Sequence, residues 1–146
     1  MTCLRILALI VILNVSCLFS DQTVHININA KMPVIPLEDE QEIFSLNVAK
    51  LIEFIYKNKY SCTIGEAYRT EEQSLIYAKE GKGIVNSLHK KRLAVDLNIF
   101  TAAGKYLSKT EDYKIFGAYW ESLHPKNKWG GRFKSRPDGN HFQMTI

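Results

Sequence analysis

The apolar positions of this 146-residue chain change their spacing several times, and each change marks an element. Residues 6–19 are almost wholly apolar and follow a start that carries one base, Arg5. A charged start before an apolar run is the layout of a secretory signal peptide. The run falls short of the roughly 20 residues that a membrane-spanning helix needs. We therefore expect residues 1–20 to be removed on export; an uncleaved membrane anchor is the alternative.

Residues 21–36 form an extended N-terminal segment, in which Val24, Ile26 and Ile28 alternate with polar residues until the prolines Pro33 and Pro36 end the pattern. A helical period follows. Glu38, Asp39, Glu40 and Glu42 occupy its start, where the helix dipole favours acids, and Phe44, Val48, Leu51, Ile52 and Ile55 recur along one face. Residues 60–68 read as a strand. Thr70 and Gln73 make a capping box that opens a second helix, which Gly81 and Gly83 stop. Residues 93–100 alternate again, with Leu93, Val95, Leu97 and Ile99 on one face and Ala94, Asp96 and Asn98 on the other.

A turn at residues 102–104 leads to a short hairpin partner at 105–107. A third helix starts at Thr110, carries Phe116, Tyr119, Trp120 and Leu123 as one stripe, and cannot pass Pro125. Turns at residues 129–131 and 137–140 precede a last strand at 141–146. The expected fold is α+β: helices packed on a small, mostly antiparallel sheet.

Composition adds three constraints. Residues 37–146 are long enough for one domain with its own core. Of the three cysteines, Cys3 and Cys17 fall in the segment expected to leave, so Cys62 alone remains. One cysteine makes neither an internal disulfide nor a cysteine zinc cluster, and any metal must use His and carboxylates. The net charge of +4 is mild, but bases gather at Lys126, Lys128, Arg132, Lys134 and Arg136. Such a cluster suits an anionic partner or is a solvated loop. Nucleic acid is not expected, because exposed aromatics do not interleave with the bases.

Candidate chemistry centres on Asp96. A carboxylate near the middle of so apolar a strand needs a partner to offset lost hydration. His89 lies just before that strand, and His141 begins the last one. Two imidazoles and one carboxylate form a three-ligand set with a position left for water, as in catalytic zinc sites. Asp138, three residues before His141, is placed to act as a base. Spacing alone leaves another reading open. Asp-Gly is a common turn dipeptide, and an isolated His is more often a hydrogen-bonded or surface residue.

Three motifs bear on that choice: Ser87-Leu-His89, Ala94-Val-Asp96 and Asp138-Gly-Asn-His141. In this order they resemble a zinc peptidase family that contains D-alanyl-D-alanine carboxypeptidases, dipeptidases and the L-alanyl-D-glutamate peptidases of phage endolysins. The similarity runs from about Ser61 to the C-terminus and includes Tyr68-Arg69-Thr70 and Trp129-Gly-Gly. Two departures are visible. Arg92 stands where the family has glycine, and Gln143 where many relatives have an acid.

The resemblance implies one zinc ion on a sheet face, held by His89, Asp96 and His141, with Asp138 as base and Arg69 aimed into the cleft. Ser87, Gln73 and Trp129 become candidates for cleft lining or support. Ser87 has no base placed to make it a nucleophile. The implied partner is a peptidoglycan stem peptide, cut by a monomer exported to the periplasm or cell envelope. The bond is L-alanyl-D-glutamate or, on the same scaffold, the terminal D-alanyl-D-alanine. A non-catalytic cell-wall binding module is the rival from another class; retention of Asp138 speaks against it.

Overall fold

A computed structural model describes residues 35–146. The expected signal peptide at 1–20 lies outside the described residues, as does all but the end of the extended segment 21–36. In chain order the helices are α1 (Leu37–Lys57), α2 (Glu71–Lys79) and α3 (Lys114–Leu123), and the strands are β1 (Ser61–Ile64), β2 (Ala94–Phe100), β3 (Asn127–Trp129) and β4 (His141–Met144). The strands form a four-stranded sheet in the order β1-β2-β4-β3, with each neighbouring pair antiparallel. This is the α+β class expected.

Period-2 alternation gives the sheet two different faces. On β2, Val95, Leu97 and Ile99 face the core, and on β4 so do Phe142 and Met144; all are buried. Helices α1 and α3 cover that face. Phe44 of α1 meets Trp120 of α3 edge to face at 5.6 Å, and Phe54 stacks on Tyr119 at 3.9 Å. Such aromatic pairs add about 0.5–1.5 kcal/mol each beyond the area they bury. The other face carries Asp96, His141 and Gln143.

Helix α1 starts after Pro36 with Glu38, Asp39 and Glu40 in its first turn. Glu40 is buried and pairs with Lys126, so its charge is neutralised by a residue 86 positions on. Helix α2 has the expected cap, the Thr70 hydroxyl accepting from the Gln73 backbone N–H at 3.2 Å. It buries only Ser74 and leaves Leu75 and Ile76 exposed.

Some expected boundaries move. The strand expected at 60–68 ends at Ile64, although Gly65 and Glu66 still bond to the Asp96 backbone. The hairpin partner at 105–107 reduces to a bridge between Phe100 and Tyr106. The third helix opens with a 3₁₀ turn, Thr110–Tyr113. The last strand ends at Met144. Among the described residues no helix is long and apolar enough to cross a membrane.

Candidate active site

His89, Asp96 and His141 come from three places and meet on the open face of the sheet. His89 lies in the 3₁₀ turn Leu88–Lys91, capped by Ser87, whose Oγ accepts from the His89 backbone N–H at 3.4 Å. Arg92 ends this turn at φ 53°, a left-handed conformation that favours glycine. Its guanidinium lies 4.3 Å from the centre of the Tyr68 ring, a cation–π contact that offsets part of the strain. Asp96 lies on β2, and the β2–β4 register sets His141 directly opposite it.

The three donor atoms converge. His89 Nε2 lies 3.3 Å from His141 Nδ1 and 3.4 Å from Asp96 Oδ1, and His141 Nδ1 lies 3.0 Å from Asp96 Oδ1. Ligand atoms around a tetrahedral ion with bonds of about 2.0–2.1 Å are spaced about 3.3 Å apart. The group therefore fits a metal ion in both geometry and donor type. Both imidazoles are buried.

Electrostatics follow from this crowding. Burial alone would raise the Asp96 carboxyl, but hydrogen bonds and charge from His141 and His89 outweigh it and hold Asp96 at about 2. Burial would also lower His141, but Asp96 and then Gln143 raise it above the usual imidazole value. Asp138 shifts upward, first by lost solvation of its carboxyl and then by the like charge of Asp96.

The turn that carries Asp138 is moulded by the Trp129-Gly130-Gly131 segment. The Asp138 N–H donates to Gly130 O at 2.9 Å, and a Cβ on Gly130 would lie 2.5 Å from Asp138 O. Trp129 is buried in the core between Gly117 and Gly131, where added Cβ atoms would each approach its ring to 2.1 Å. Its Nε1–H donates to Gly139 O at 2.8 Å. Trp129 thus stands behind the Asp138 turn and does not line the cleft.

A cleft of about 560 Å³ opens over this face, lined in part by Arg69, Ser87, His89, Asp96, Asp138 and His141. Arg69 is locked on the cleft wall. Its Nε donates to Glu66 Oε1 at 2.8 Å, its Nη2 pairs with Glu66 Oε2, and its Nη1 donates to Ser87 Oγ at 3.2 Å. Gln73 stays at the start of α2, outside the cleft lining. Glu66 carries no motif that marks it in the sequence. Its only local signal is the spacing of three residues to Arg69. Gln143 also lines the cleft.

Much of the basic cluster is internally matched: Lys126 pairs with Glu40, Arg132 with Glu121, and Arg136 donates to Gly81 O at 2.9 Å. His124 accepts from the Lys126 backbone N–H at 3.3 Å.

The protein-family model for D-alanyl-D-alanine carboxypeptidase matches residues 80–144, a span that contains His89, Asp96, Asp138 and His141. Among solved structures, the chain is similar to the crystal structure of Serratia marcescens L-Ala D-Glu endopeptidase ChiX. The TM-score is 0.57 at 20% identity, over 74% of this chain and 85% of that one. No curated protein matches the chain. The structural likeness is one of fold, the family match spans the four residues of the site, and the His/Asp/His group can hold a metal ion; both matches agree with the resemblance carried by the motifs.

Proposed function

We propose that the chain is a zinc peptidase of bacterial peptidoglycan that hydrolyses the L-alanyl-D-glutamate bond of the stem peptide. One observation carries the reading: His89, Asp96 and His141 converge within 3.0–3.4 Å in a cleft that Asp138 and Arg69 also line. A zinc ion on the three would supply Lewis acidity to the scissile carbonyl and to the attacking water. Asp138 takes the proton of that water and delivers it to the leaving amine, a task its raised pKa favours. Arg69, held by Glu66 and Ser87, donates a hydrogen bond to the developing oxyanion. Glu66 and Ser87 keep Arg69 oriented, and backbone bonds hold the turn that carries Asp138.

A cell-wall substrate requires export, which the apolar segment 6–19 supports. The second reading, a D-alanyl-D-alanine carboxypeptidase, is favoured by the description of the matching family model. Digestion of purified peptidoglycan followed by mass spectrometry of the muropeptides tests both. Stem peptides beginning at D-glutamate are expected. Free D-alanine from pentapeptide stems would support the second reading, and intact stems would favour a wall-binding module.

A further inference from the structure

The side chain of Gln143 has no part in the mechanism above. It projects from β4 on the same sheet face as His141, two residues on, and is half-buried against the cleft. Its Oε1 lies 2.9 Å from His141 Nε2. The other ring nitrogen, Nδ1, faces Asp96 Oδ1 at 3.0 Å and His89 Nε2 at 3.3 Å. A neutral imidazole has one N–H and one lone pair. A carbonyl oxygen only accepts, so the nitrogen facing it must carry the hydrogen. The lone pair is then left on Nδ1, pointing between Asp96 and His89. His89 has no comparable support, since its Nδ1 is buried without a hydrogen-bond partner.

We propose that Gln143 is a positioning residue for His141: by accepting the Nε2–H it fixes the ring so that Nδ1 is the atom presented to the metal. This rests on the reading of the triad as a zinc centre. Outer partners of ligating imidazoles set tautomer and orientation, and their loss typically weakens metal binding by roughly 10–100-fold. An amide can also turn. With its NH₂ toward Nε2 it would force a hydrogen onto Nδ1, against the metal. Only the acceptor arrangement is compatible with binding, and a carboxylate would enforce it.

The backbone at Gln143 does not depend on this side chain. Its carbonyl accepts from Trp120 Nε1 at 3.1 Å, and its strand partners are Ala94 and Lys128. Gln143→Leu therefore removes the acceptor while keeping β4. Gln143→Met is a second variant of similar length, and Gln143→Glu restores an acceptor.

The test has two readouts on the purified protein. Zinc affinity is measured by competition with a chromophoric chelator. Long-range ¹⁵N–¹H correlation of the imidazoles in zinc-loaded protein then reports which nitrogen carries hydrogen. We expect His141 to be protonated on Nε2 in the wild type. Zinc should bind roughly 10–100-fold more weakly in Gln143→Leu and Gln143→Met, and at least as tightly as wild type in Gln143→Glu. Equal affinity in wild type, Leu and Met variants, or a His141 that binds zinc through Nε2, would overturn the inference and leave the zinc centre standing. A wild type that binds no zinc would overturn both.

Discussion

Asp96 on β2 and His141 on β4 are direct cross-strand partners, with Oδ1 and Nδ1 3.0 Å apart. The pairing is a consequence of register. In a sheet with one buried face, slipping a strand by one residue turns every side chain over, and Phe142 and Met144 could not leave the core without large cost. The hydrophobic pattern of β4 thus also presents His141 and Gln143 to the open face. His89 joins them from the turn that leads into β2.

Metal binding and turnover should separate at two aspartates. Purified protein is expected to hold about one zinc per chain, by elemental analysis, and to lose activity on exhaustive chelation. Asp96→Ala removes one of three converging donors and should lose the metal. Asp138→Ala should keep it and lose roughly 10²–10⁴-fold in kcat, the usual worth of general acid–base help. Equal loss of zinc in both variants would make Asp138 a ligand and not a base.

The metal-free protein should show a pH window for the Asp96–His141 pair. For both groups burial opposes the charged form, yet their contact leaves Asp96 at about 2, below its reference 3.8, and His141 above its reference 6.5. A depressed carboxyl contributes stability that is present above pH 3.8 and lost as pH falls through about 2. A raised imidazole contributes stability that is present below pH 6.5 and lost as pH rises through its folded value. Coupling should therefore be greatest between pH 3.8 and 6.5. A double-mutant cycle with Asp96→Asn and His141→Gln, followed by urea unfolding across pH, measures it; a coupling flat with pH would contradict the pairing.

The parts of the fold that the sequence made legible are those with long, clean periods. The stripe Phe44, Leu51, Ile55 of α1 and the alternation Val95, Leu97, Ile99 of β2 are both buried where the spacing put them. Strand β3 has no sequence signal, and its last residue, Trp129, falls in the expected turn at 129–131, because three residues with Lys128 in the middle, between Pro125 and Gly130, carry no period. It exists because β4 offers it an edge to pair with. The basic cluster looked like a patch, yet the partners of Lys126 and Arg132 lie on α1 and α3. Long-range partners leave no local mark. The same holds for the triad: the ligand types were visible, but their meeting depends on β4 lying beside β2. Glu66 is not legible in the sequence, because a single acid in an irregular segment is indistinguishable from a solvated one.

Trp129 should act on the Asp138 turn without touching substrate. Its Nε1–H holds Gly139 O at 2.8 Å, and Gly117 and Gly131 leave its ring just enough room. Gly117→Ala and Gly131→Ala force a methyl into the indole and should each destabilise by about 1–3 kcal/mol or more, seen as a lower urea midpoint. Trp129→Phe keeps most of the packing but removes the donor, freeing the turn. Its expected signature is reduced kcat with unchanged zinc content. Unchanged kcat in Trp129→Phe would mean the turn is held by Gly130 alone.

Arg69 decides between the two candidate bonds. Its Nε–Nη2 edge is occupied by Glu66 and its Nη1 already donates to Ser87. Glu66 also neutralises the guanidinium, which therefore makes a poor anchor for a free carboxylate in a bidentate pair. Three of its five N–H bonds are so engaged, and the remaining two, one on Nη1 and one on Nη2, can serve as rigid donors to the oxyanion. A donor used only in the transition state lowers kcat when removed and leaves KM nearly unchanged, and loss of one such donor costs about 10²–10³-fold. Arg69→Ala should follow that pattern, and Glu66→Gln should show a weaker form of it, since the fork is then held without charge. Stem peptides beginning at D-glutamate should be the products, with no free D-alanine. Had Arg69 anchored a C-terminal carboxylate, Arg69→Ala would raise KM alone, and amidating the substrate's C-terminus would erase the difference from wild type. That result, together with free D-alanine from a pentapeptide stem, would overturn the endopeptidase assignment while leaving the roles of Asp96 and Asp138 intact.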